Sequence, residues 1–208
     1  MWAYESVFYQ IYPLGFCGAP FENDGVEVNR IQKVIDWIPH IKKLGANAIY
    51  FSPVFESDTH GYNTRDYTKI DKRLGTNADF AKVCDALHKE GIRVVLDGVF
   101  NHVGIHFAPF MDFMEKGEKS AYRDWFYPKQ YPVRIDPACY ECVGDYPYMP
   151  RLNGANGEVR NYVQKVLLYW LEHAHIDGWR FDVADELDHH AVTIWREAVK
   201  QAYPDALM

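Results

Sequence analysis

The chain lacks two features that would assign it to a membrane or to a nucleic acid. Its 208 residues contain no run of about 18 apolar residues, the minimum for a segment that spans a bilayer. They carry no excess of positive charge either, since 22 Lys and Arg stand against 29 Asp and Glu, a formal net charge of -7. Because anionic membranes and nucleic acids repel such a chain on average, we expect neither as a partner and expect a neutral substrate.

A secretory signal is also missing, since no basic segment followed by an apolar run opens the chain. If Met1 is the native start, the protein is therefore expected in the cytoplasm. The sequence leaves self-association into a homo-oligomer open.

Cysteine is scarce, with four residues, and only Cys139 and Cys142 form a C-x-x-C pair. A zinc site would need a second such pair or histidines at metal-ligand spacing, and the sequence supplies neither. We therefore interpret the cysteines as free thiols in a reducing compartment. This pattern requires no cofactor.

Aromatic residues, in contrast, are plentiful, with 15 Tyr, 12 Phe and six Trp. Their flat apolar faces suit both a hydrophobic core and the stacking of sugar rings. Composition alone does not separate these two uses.

Strand and helix patterns alternate along the chain, and no glycine-rich phosphate loop follows the first strand. The predicted elements are a strand at 6–12, a helix at 28–44 that Pro39 kinks or splits, a strand at 46–51, a long polar loop to Thr76, a helix around 80–87, a strand at 92–100, a helix around 159–171, a strand at 176–183, a helix around 194–199 and the start of a fifth strand at 204–208. This order predicts an α/β fold, the first half of a TIM (β/α)8 barrel with about four βα units plus the start of strand five. An open doubly wound sheet is the alternative, and we rank it lower because the dinucleotide fingerprint is absent.

The alternation breaks between His102 and about Asn153, where Pro, Gly, Tyr and charged residues are frequent. This stretch is too long for a simple connection and too short for a large domain. We predict a small subdomain inserted after strand three. The chain then divides into barrel residues 1–102, an inserted subdomain at 103–154 and continued barrel residues 155–208, truncated at strand five.

The segment 177–186 combines apolar strand formers with charged residues. Arg180 and Asp182 are two positions apart and therefore project to the same side of a strand. An arginine beside a carboxylate that is shielded from water favours the ionised, nucleophilic form of that carboxylate. A structural ion pair at the strand end explains the spacing equally well.

Four motifs in order resemble the catalytic domain of the α-amylase family, glycoside hydrolase family 13. The runs Asp-Gly-Val-Phe-Asn-His at 97–102 and Gly-Trp-Arg-Phe-Asp-Val-Ala-Asp-Glu at 178–186 resemble the family's first and second conserved regions, and 60–67 resembles its loop after the second strand. The Met-Pro-Arg-Leu-Asn run at 149–153 and the position of Glu186 are similar to the subgroup of neopullulanases, cyclomaltodextrinases and maltogenic amylases. The resemblance covers essentially the whole chain.

The resemblance implies a glycosidase, a retaining α-glucan hydrolase that cleaves α-1,4 bonds, with α-1,6 bonds as a further target, and an α-glucan or maltooligosaccharide as its partner. The implied roles are nucleophile for Asp182, its orienting charge for Arg180, support of Arg180 for Asp97, hydrogen bonding to the sugar at the cleavage point for His102, stacking under that sugar for Tyr62 and lining of the leaving-group side for Glu186. Without the resemblance, His102 and Tyr62 are better explained by core packing or capping, and Glu186 equally suits a solvated helix start.

Two departures from the family pattern affect these expectations. The family usually has aspartate where Asn63 stands, so we expect the hydrogen bonds there to be arranged differently. The family's acid/base glutamate and third carboxylate fall beyond Met208. The 208-residue chain alone is therefore expected to be inactive and to leave strand edges unpaired.

Two alternative functions stay open, an α-glucan glycosyltransferase of the same fold and a non-catalytic amylase-like binding module. The combination of Asp182, Arg180 and His102 favours the enzyme. Asn101 matches a position that ligates calcium in many family members, and Asp145 is a candidate further ligand. Calcium needs six to eight oxygens, and the sequence does not identify that many.

Overall fold

A computed structural model describes all residues from 1 to 208, and a parallel sheet forms its centre. The strands are β1 (Phe8–Ile11), β2 (Ala48–Phe51), β3 (Phe55–Ser57), β4 (Thr64–Ile70), β5 (Arg93–Gly98) and β6 (Gly178–Phe181). The α-helices are α1 (Pro13–Phe16), α2 (Lys33–Lys43), α3 (Asn77–Lys89), α4 (Ala108–Lys116), α5 (Gly157–His173) and α6 (His189–Ala202). Three short 3-10 helices cover Trp2–Glu5, Gly117–Lys119 and Arg123–Trp125.

The four central strands are parallel and lie in the order β1-β2-β5-β6. Each new strand is added on the same side of the previous one, as in a barrel, whereas a doubly wound sheet would reverse its order. Leu207 forms a parallel bridge with Gly178, where the start of a fifth strand is predicted. The prediction of the first half of a TIM barrel is therefore confirmed.

Helix starts follow the capping residues in the sequence. Thr76 and Asp79 form a capping box at the start of α3. The side chain of Asn156 accepts hydrogen bonds from two backbone N–H groups of α5, and the side chain of Asp188 accepts one from the Ala191 N–H of α6. These side chains satisfy backbone donors that have no partner inside the helix, so the helices begin where the sequence supplies a cap.

The predicted start of the second helix at Val28 is wrong, because α2 begins at Lys33. The backbone N–H of Val28 donates to the carbonyl of Lys72, and those of Arg30 and Ile31 donate to Leu74. This segment is therefore held by a distant loop and not by helical bonds. Pro39 lies inside α2 without splitting it.

The predicted long polar loop before Thr76 contains an antiparallel hairpin of β3 and β4. Tyr67 on β4 is fully buried, and its hydroxyl donates to the carbonyl oxygens of Val99 and His102. The indole N–H of Trp170 on α5 in turn donates to the carbonyl of Tyr67 at 2.7 Å. The hairpin thus connects α5 to the end of β5, where several predicted site residues lie.

The region after β5 has its own aromatic cluster. Phe110, Phe113, Phe126 and Tyr140 pack with ring centroids 5.0 to 6.0 Å apart. The two ends of this region are joined as a neck, in which Val103 N–H donates to the Pro150 carbonyl at 3.0 Å and Leu152 N–H donates to the Asn101 carbonyl at 2.9 Å. The exact subdomain boundaries, 103 and 154, stay a prediction.

A helix that crosses a bilayer must be about 20 residues long and predominantly apolar. None of the helices in this chain combines the length and the apolar composition that a membrane-spanning helix needs.

Candidate active site

The register between β5 and β6 places Asp97 directly opposite Arg180. Nη1 of Arg180 lies 3.0 and 3.2 Å from the two carboxylate oxygens of Asp97 and 2.6 Å from Oδ1 of Asp182. The Asp97 side chain is fully buried, whereas 45% of the Arg180 side chain is exposed. One guanidinium nitrogen therefore bridges two carboxylates at the carboxyl end of the strands, the edge where barrel enzymes carry their sites.

Tyr50 completes this arrangement, although it is not among the site residues predicted from the sequence. Its hydroxyl donates to Oδ2 of Asp97. Tyr50 pairs with Val95 across the β2–β5 ladder, so Asp97 is its diagonal neighbour, within reach of an aromatic side chain. The available signal was a polar ring tip in the otherwise apolar strand Ala48–Phe51.

Burial and hydrogen bonding act in opposite directions on the charges of this cluster. Burial raises the pKa of Asp97 above its ordinary value, and the bonds from Tyr50 and Arg180 offset part of that rise. Partial burial works to lower the pKa of Arg180, but the hydrogen bonds to Asp97 and Asp182 outweigh it and raise that pKa. Arg180 therefore stays positively charged between its two carboxylates.

His102 is buried, with 3% of its surface exposed, and neither ring nitrogen has a hydrogen-bond partner. Burial lowers the pKa of His102 to about 4, although the negative charge of Asp182 acts to raise it. The ring is therefore neutral at pH 7, with one nitrogen that donates and one that accepts. Buried polar groups without partners are rare, so this ring has an unused capacity to bind.

Tyr62 approaches the same cluster from the loop between β3 and β4. Its hydroxyl lies 3.4 Å from Oδ2 of Asp97, and burial raises its pKa above the ordinary value. The preceding Gly61 has φ of 98° and packs against Pro53, where a Cβ atom would lie 3.1 Å from the Pro53 Cβ. This backbone conformation, which glycine adopts readily, helps to set the position of the Tyr62 ring.

A family profile described as the alpha amylase catalytic domain matches residues 10–206. The chain belongs to the alpha-amylase family. It is 40% identical over 99% of its length to a cyclomaltodextrinase from Bacillus sp. and 39% identical over its whole length to neopullulanase 2 from Thermoactinomyces vulgaris. Among solved structures it resembles the cyclic alpha-maltosyl-(1-->6)-maltose hydrolase from Arthrobacter globiformis, with a TM-score of 0.88 and 36% identity over 99% of the chain.

This alpha-amylase-family chain covers only part of each relative. It spans 40% of the cyclomaltodextrinase, 38% of neopullulanase 2 and 50% of the Arthrobacter enzyme chain. The match therefore establishes the family and the fold of the part described.

Asn63, where the alpha-amylase family usually has aspartate, forms two hydrogen bonds with Thr59. Its Oδ1 accepts from the Thr59 N–H at 3.1 Å, and its Nδ2 donates to the Thr59 hydroxyl at 3.0 Å. An ionised carboxylate could accept but could not donate. The amide thus closes the loop that carries Tyr62, and with aspartate in its place the Thr59 hydroxyl would have to donate where it now accepts.

Glu186 lies apart from the Arg180 cluster. Its carboxylate accepts from Nδ2 of Asn101 at 3.0 Å, and its backbone carbonyl accepts from Arg151 at 3.1 Å. It is exposed and lies in the loop before α6, not in a helix start. This pair borders a cavity of about 140 Å³ that also includes Asp188.

The calcium prediction rests on Asn101, and the surrounding side chains do not fit a calcium cage. The amide nitrogen of Asn101 is directed at Glu186, and Asp145 is exposed. No group of three or more His, Cys, Asp or Glu residues that could hold a metal ion is present. Calcium, which needs six to eight oxygens, therefore stays a prediction.

Four of the predicted site residues thus meet in one hydrogen-bonded cluster, Asp97, Arg180, Asp182 and Tyr62. His102 lies close enough to respond to the charge of Asp182, but forms no hydrogen bond to the cluster. Asn101 and Glu186 form a separate pair.

Proposed function

We propose that the protein containing this chain is a retaining α-glucan hydrolase in which Asp182 is the nucleophile. The observation that carries the proposal is the hydrogen bond of Arg180 Nη1 to Oδ1 of Asp182 together with its two bonds to Asp97. This contact holds one oxygen of Asp182 and leaves Oδ2 without a hydrogen-bond partner. Oδ2 is then free to bond to the anomeric carbon while the glycosidic bond breaks.

The other residues act on the sugar or on the nucleophile. Arg180 keeps its charge beside Asp182, and Asp97 and Tyr50 fix the orientation of the guanidinium group. The neutral His102 ring supplies hydrogen bonds to sugar hydroxyl groups, because both its nitrogens lack partners. A carboxylic acid must also protonate the leaving oxygen, and the family resemblance expects it after the fifth barrel strand.

The proposed substrates are α-1,4-linked maltooligosaccharides or cyclic dextrins, with α-1,6 bonds as a further target. Support comes from the names of similar proteins, a cyclomaltodextrinase and a hydrolase of cyclic alpha-maltosyl-(1-->6)-maltose. Glycosyl transfer would occur when a sugar replaces water in the second step. A net charge of -7 agrees with an uncharged substrate.

We also propose a cytoplasmic location. The support is a relative from Bacillus subtilis named intracellular maltogenic amylase, which is 36% identical over 98% of this chain. The four cysteines are free thiols, a state that suits a reducing compartment.

The test is an activity assay on the full-length polypeptide expressed from its gene, with maltoheptaose, cyclodextrin and pullulan as substrates. Asp182→Asn should lower kcat by several orders of magnitude, because the nucleophile is lost, while the Kd for maltoheptaose stays within about threefold. Asp85→Asn, an exposed position on α3, is the matched control and should retain full activity.

Asp182→Asn with activity within about tenfold of the parent would exclude the assignment of the nucleophile. Binding of maltoheptaose without turnover by the parent would favour the non-catalytic module. Products longer than the substrate as the main outcome would favour the glycosyltransferase.

A further inference from the structure

Two residues other than glycine have a positive φ angle, His175 at 54° and Val183 at 41°. In this left-handed region the Cβ atom crowds a neighbouring carbonyl oxygen, and the branched side chain of valine increases the crowding. For a β-branched residue the conformation is an outlier, which persists only where the surroundings hold it. Val183 is thus kept in a strained conformation by its neighbours.

The conformation of His175 is explained by the end of a helix. This residue directly follows Ala174, the capping residue of α5, and its side chain is exposed. Many helices end with a left-handed residue at this position, and histidine adopts the region more readily than most residues. His175 therefore needs no functional explanation.

Val183, in contrast, ends no helix. It directly follows Asp182 and lies two positions beyond Phe181, the last residue of β6. The Asp182 N–H still bonds to the neighbouring strand, since it donates to the Gly98 carbonyl of β5 at 3.1 Å. Val183 is therefore the first residue after the chain leaves the sheet.

Beyond Val183 the chain forms a tight turn whose far end is bonded to other parts of the molecule. The Glu186 N–H donates to the Val183 carbonyl at 2.9 Å and closes the turn. The Glu186 carboxylate accepts from Asn101 Nδ2 at 3.0 Å, and its carbonyl accepts from Arg151 Nη2 at 3.1 Å. Groups from the segment after β5 and from the inserted region thus hold the turn in place.

This turn begins next to the candidate nucleophile. An extended residue at position 183 would continue the chain in the direction of β6. The positive φ angle turns the chain away directly after Asp182, whose Oδ1 lies 2.6 Å from Arg180 Nη1. The strained residue therefore adjoins the backbone from which the Asp182 carboxylate projects.

We propose that Val183 is a positioning residue, whose left-handed conformation fixes the backbone of Asp182 so that Oδ1 meets Arg180 and Oδ2 stays free for the anomeric carbon. Strained residues of this kind cluster at functional sites, where the strain holds reacting groups in place. This inference rests on the proposed function, since it concerns the nucleophile named there.

The experiment compares Val183→Pro with His175→Pro in the full-length polypeptide, by steady-state hydrolysis of maltoheptaose. Proline fixes φ at about −65°, so each variant removes a positive φ angle. The backbone N–H of neither residue donates a hydrogen bond that proline would abolish. Val183→Pro should lower kcat about 100-fold and change KM by less than about threefold, because a small displacement of a reacting group costs this much in rate. His175→Pro is the matched control and should leave kcat unchanged.

A residue that tolerates the left-handed region should preserve activity. Asparagine is enriched there, so Val183→Asn should keep kcat within about threefold of the parent and should not lower the midpoint of thermal unfolding.

The Val183→Asn variant also tests what holds the strained turn. Arg151→Met removes the bond to the Glu186 carbonyl and should lower kcat about three- to tenfold in the parent. In the Val183→Asn background it should lower kcat less than about twofold, because a relaxed turn needs less support. The contacts of Arg151 with Glu141 and Tyr127 are lost in both backgrounds and cancel in this comparison.

A folded Val183→Pro variant with kcat within about threefold of the parent, an equal loss in His175→Pro, or a loss beyond about tenfold in Val183→Asn would overturn the inference. If Val183→Pro does not fold, the comparison of Arg151→Met in the two backgrounds decides, and equal losses in both would overturn it. Failure of the proposed function gives a different result, in which the parent hydrolyses no α-glucan or Asp182→Asn retains activity within about tenfold of the parent. Either of these results would remove the inference together with the proposed function.

Discussion

Two arginines of this chain are paired with aspartates, and they differ in how completely they are bonded. All three nitrogens of Arg73 are bonded, to both carboxylate oxygens of Asp71, to Ser57 Oγ and to the carbonyls of Pro20 and Phe21. Arg180 uses only Nη1, for Asp97 and Asp182. The Arg73 side chain is fully buried, and that of Arg180 is 45% exposed.

This difference separates a structural ion pair from a candidate site. A buried arginine with every donor satisfied has no capacity left for a ligand, and its loss would leave a charge without a partner. A half-exposed arginine with unused donors, next to an aspartate with a free oxygen, can take part in chemistry. The spacing of an Arg–Asp pair in a sequence does not distinguish the two, but the number of unused donors does.

The largest effect on stability is expected at the fully bonded pair. Asp71→Asn should reduce the free energy of unfolding by about 3–5 kcal/mol, because the buried charge of Arg73 loses its partner. Urea unfolding of the full-length polypeptide measures this loss. Asp66→Asn is the control, since Asp66 pairs with Lys69, whose side chain is 65% exposed, and such surface pairs contribute about 0–1 kcal/mol. Equal decreases in the free energy of unfolding for Asp71→Asn and Asp66→Asn would mean that the buried pair contributes no more to stability than the surface pair.

Arg180→Lys should lower kcat about 100-fold, nearly as much as Arg180→Ala, because lysine keeps the charge but loses the rigid guanidinium plane that holds Nη1 between the two carboxylates. Steady-state kinetics on maltoheptaose checks this. In contrast, Arg73→Lys should destabilise the fold and leave the kcat of the folded enzyme unchanged. Near-normal rates with lysine at position 180 would mean that charge alone suffices there.

His102 should make stability depend on pH in a defined direction. Its pKa in the fold is about 4, below the ordinary value of 6.5, so the unfolded chain takes up the proton first as the pH falls. The free energy of unfolding should therefore decrease from pH 6.5 towards pH 4, by up to about 1.4 kcal/mol per pH unit from this group.

Urea unfolding across that range, compared between the parent and His102→Gln, isolates the contribution. His88→Gln is a control of opposite sign, since the hydrogen bond to Asp177 raises the pKa of His88 and its contribution is lost as the pH rises. Identical pH slopes for the parent and His102→Gln would contradict the account.

The smallest effect is expected for Tyr50→Phe. Removing one hydroxyl that donates to Asp97 should lower kcat about fivefold, in line with a single hydrogen bond, and leave KM unchanged. Tyr9→Phe on β1 is the control, because its hydroxyl has no hydrogen-bond partner. A loss in KM instead of kcat would place Tyr50 in substrate binding and not in support of Arg180.

Local patterns in the sequence predicted the parts of the fold that depend on local physics. The parallel strands and helix α5 follow from the periodicity of their apolar residues. The start of α2 was misplaced because Val28 bonds to a carbonyl 44 positions away. The β3–β4 hairpin was missed because the run Thr64–Ile70 is largely polar and alternates irregularly.

The site residues also divide into those placed by local sequence and those placed by contacts between distant parts of the chain. Arg180 and Asp182 are two residues apart, so their contact follows from strand geometry alone. Asp97 meets Arg180 only through the register of two strands that are 83 residues apart, and it was predicted from the family resemblance. The Tyr50 contact and the unpartnered ring of His102 depend on packing that no short motif encodes.

The neck beneath the inserted region has a consequence for how such chains diversify. His102 is followed at once by a residue bonded to Pro150, and Asn101 is bonded to Leu152, so both ends of the insertion are fastened to each other. The Tyr67 hydroxyl also donates a hydrogen bond to the His102 carbonyl, next to the first of these ends. The entropic cost of closing a loop rises only slowly with its length. The residues between the two joined ends can therefore be substituted, or their number increased, at a small cost in stability. The residues between the two ends can therefore change without displacing Arg180, Asp97 and Asp182.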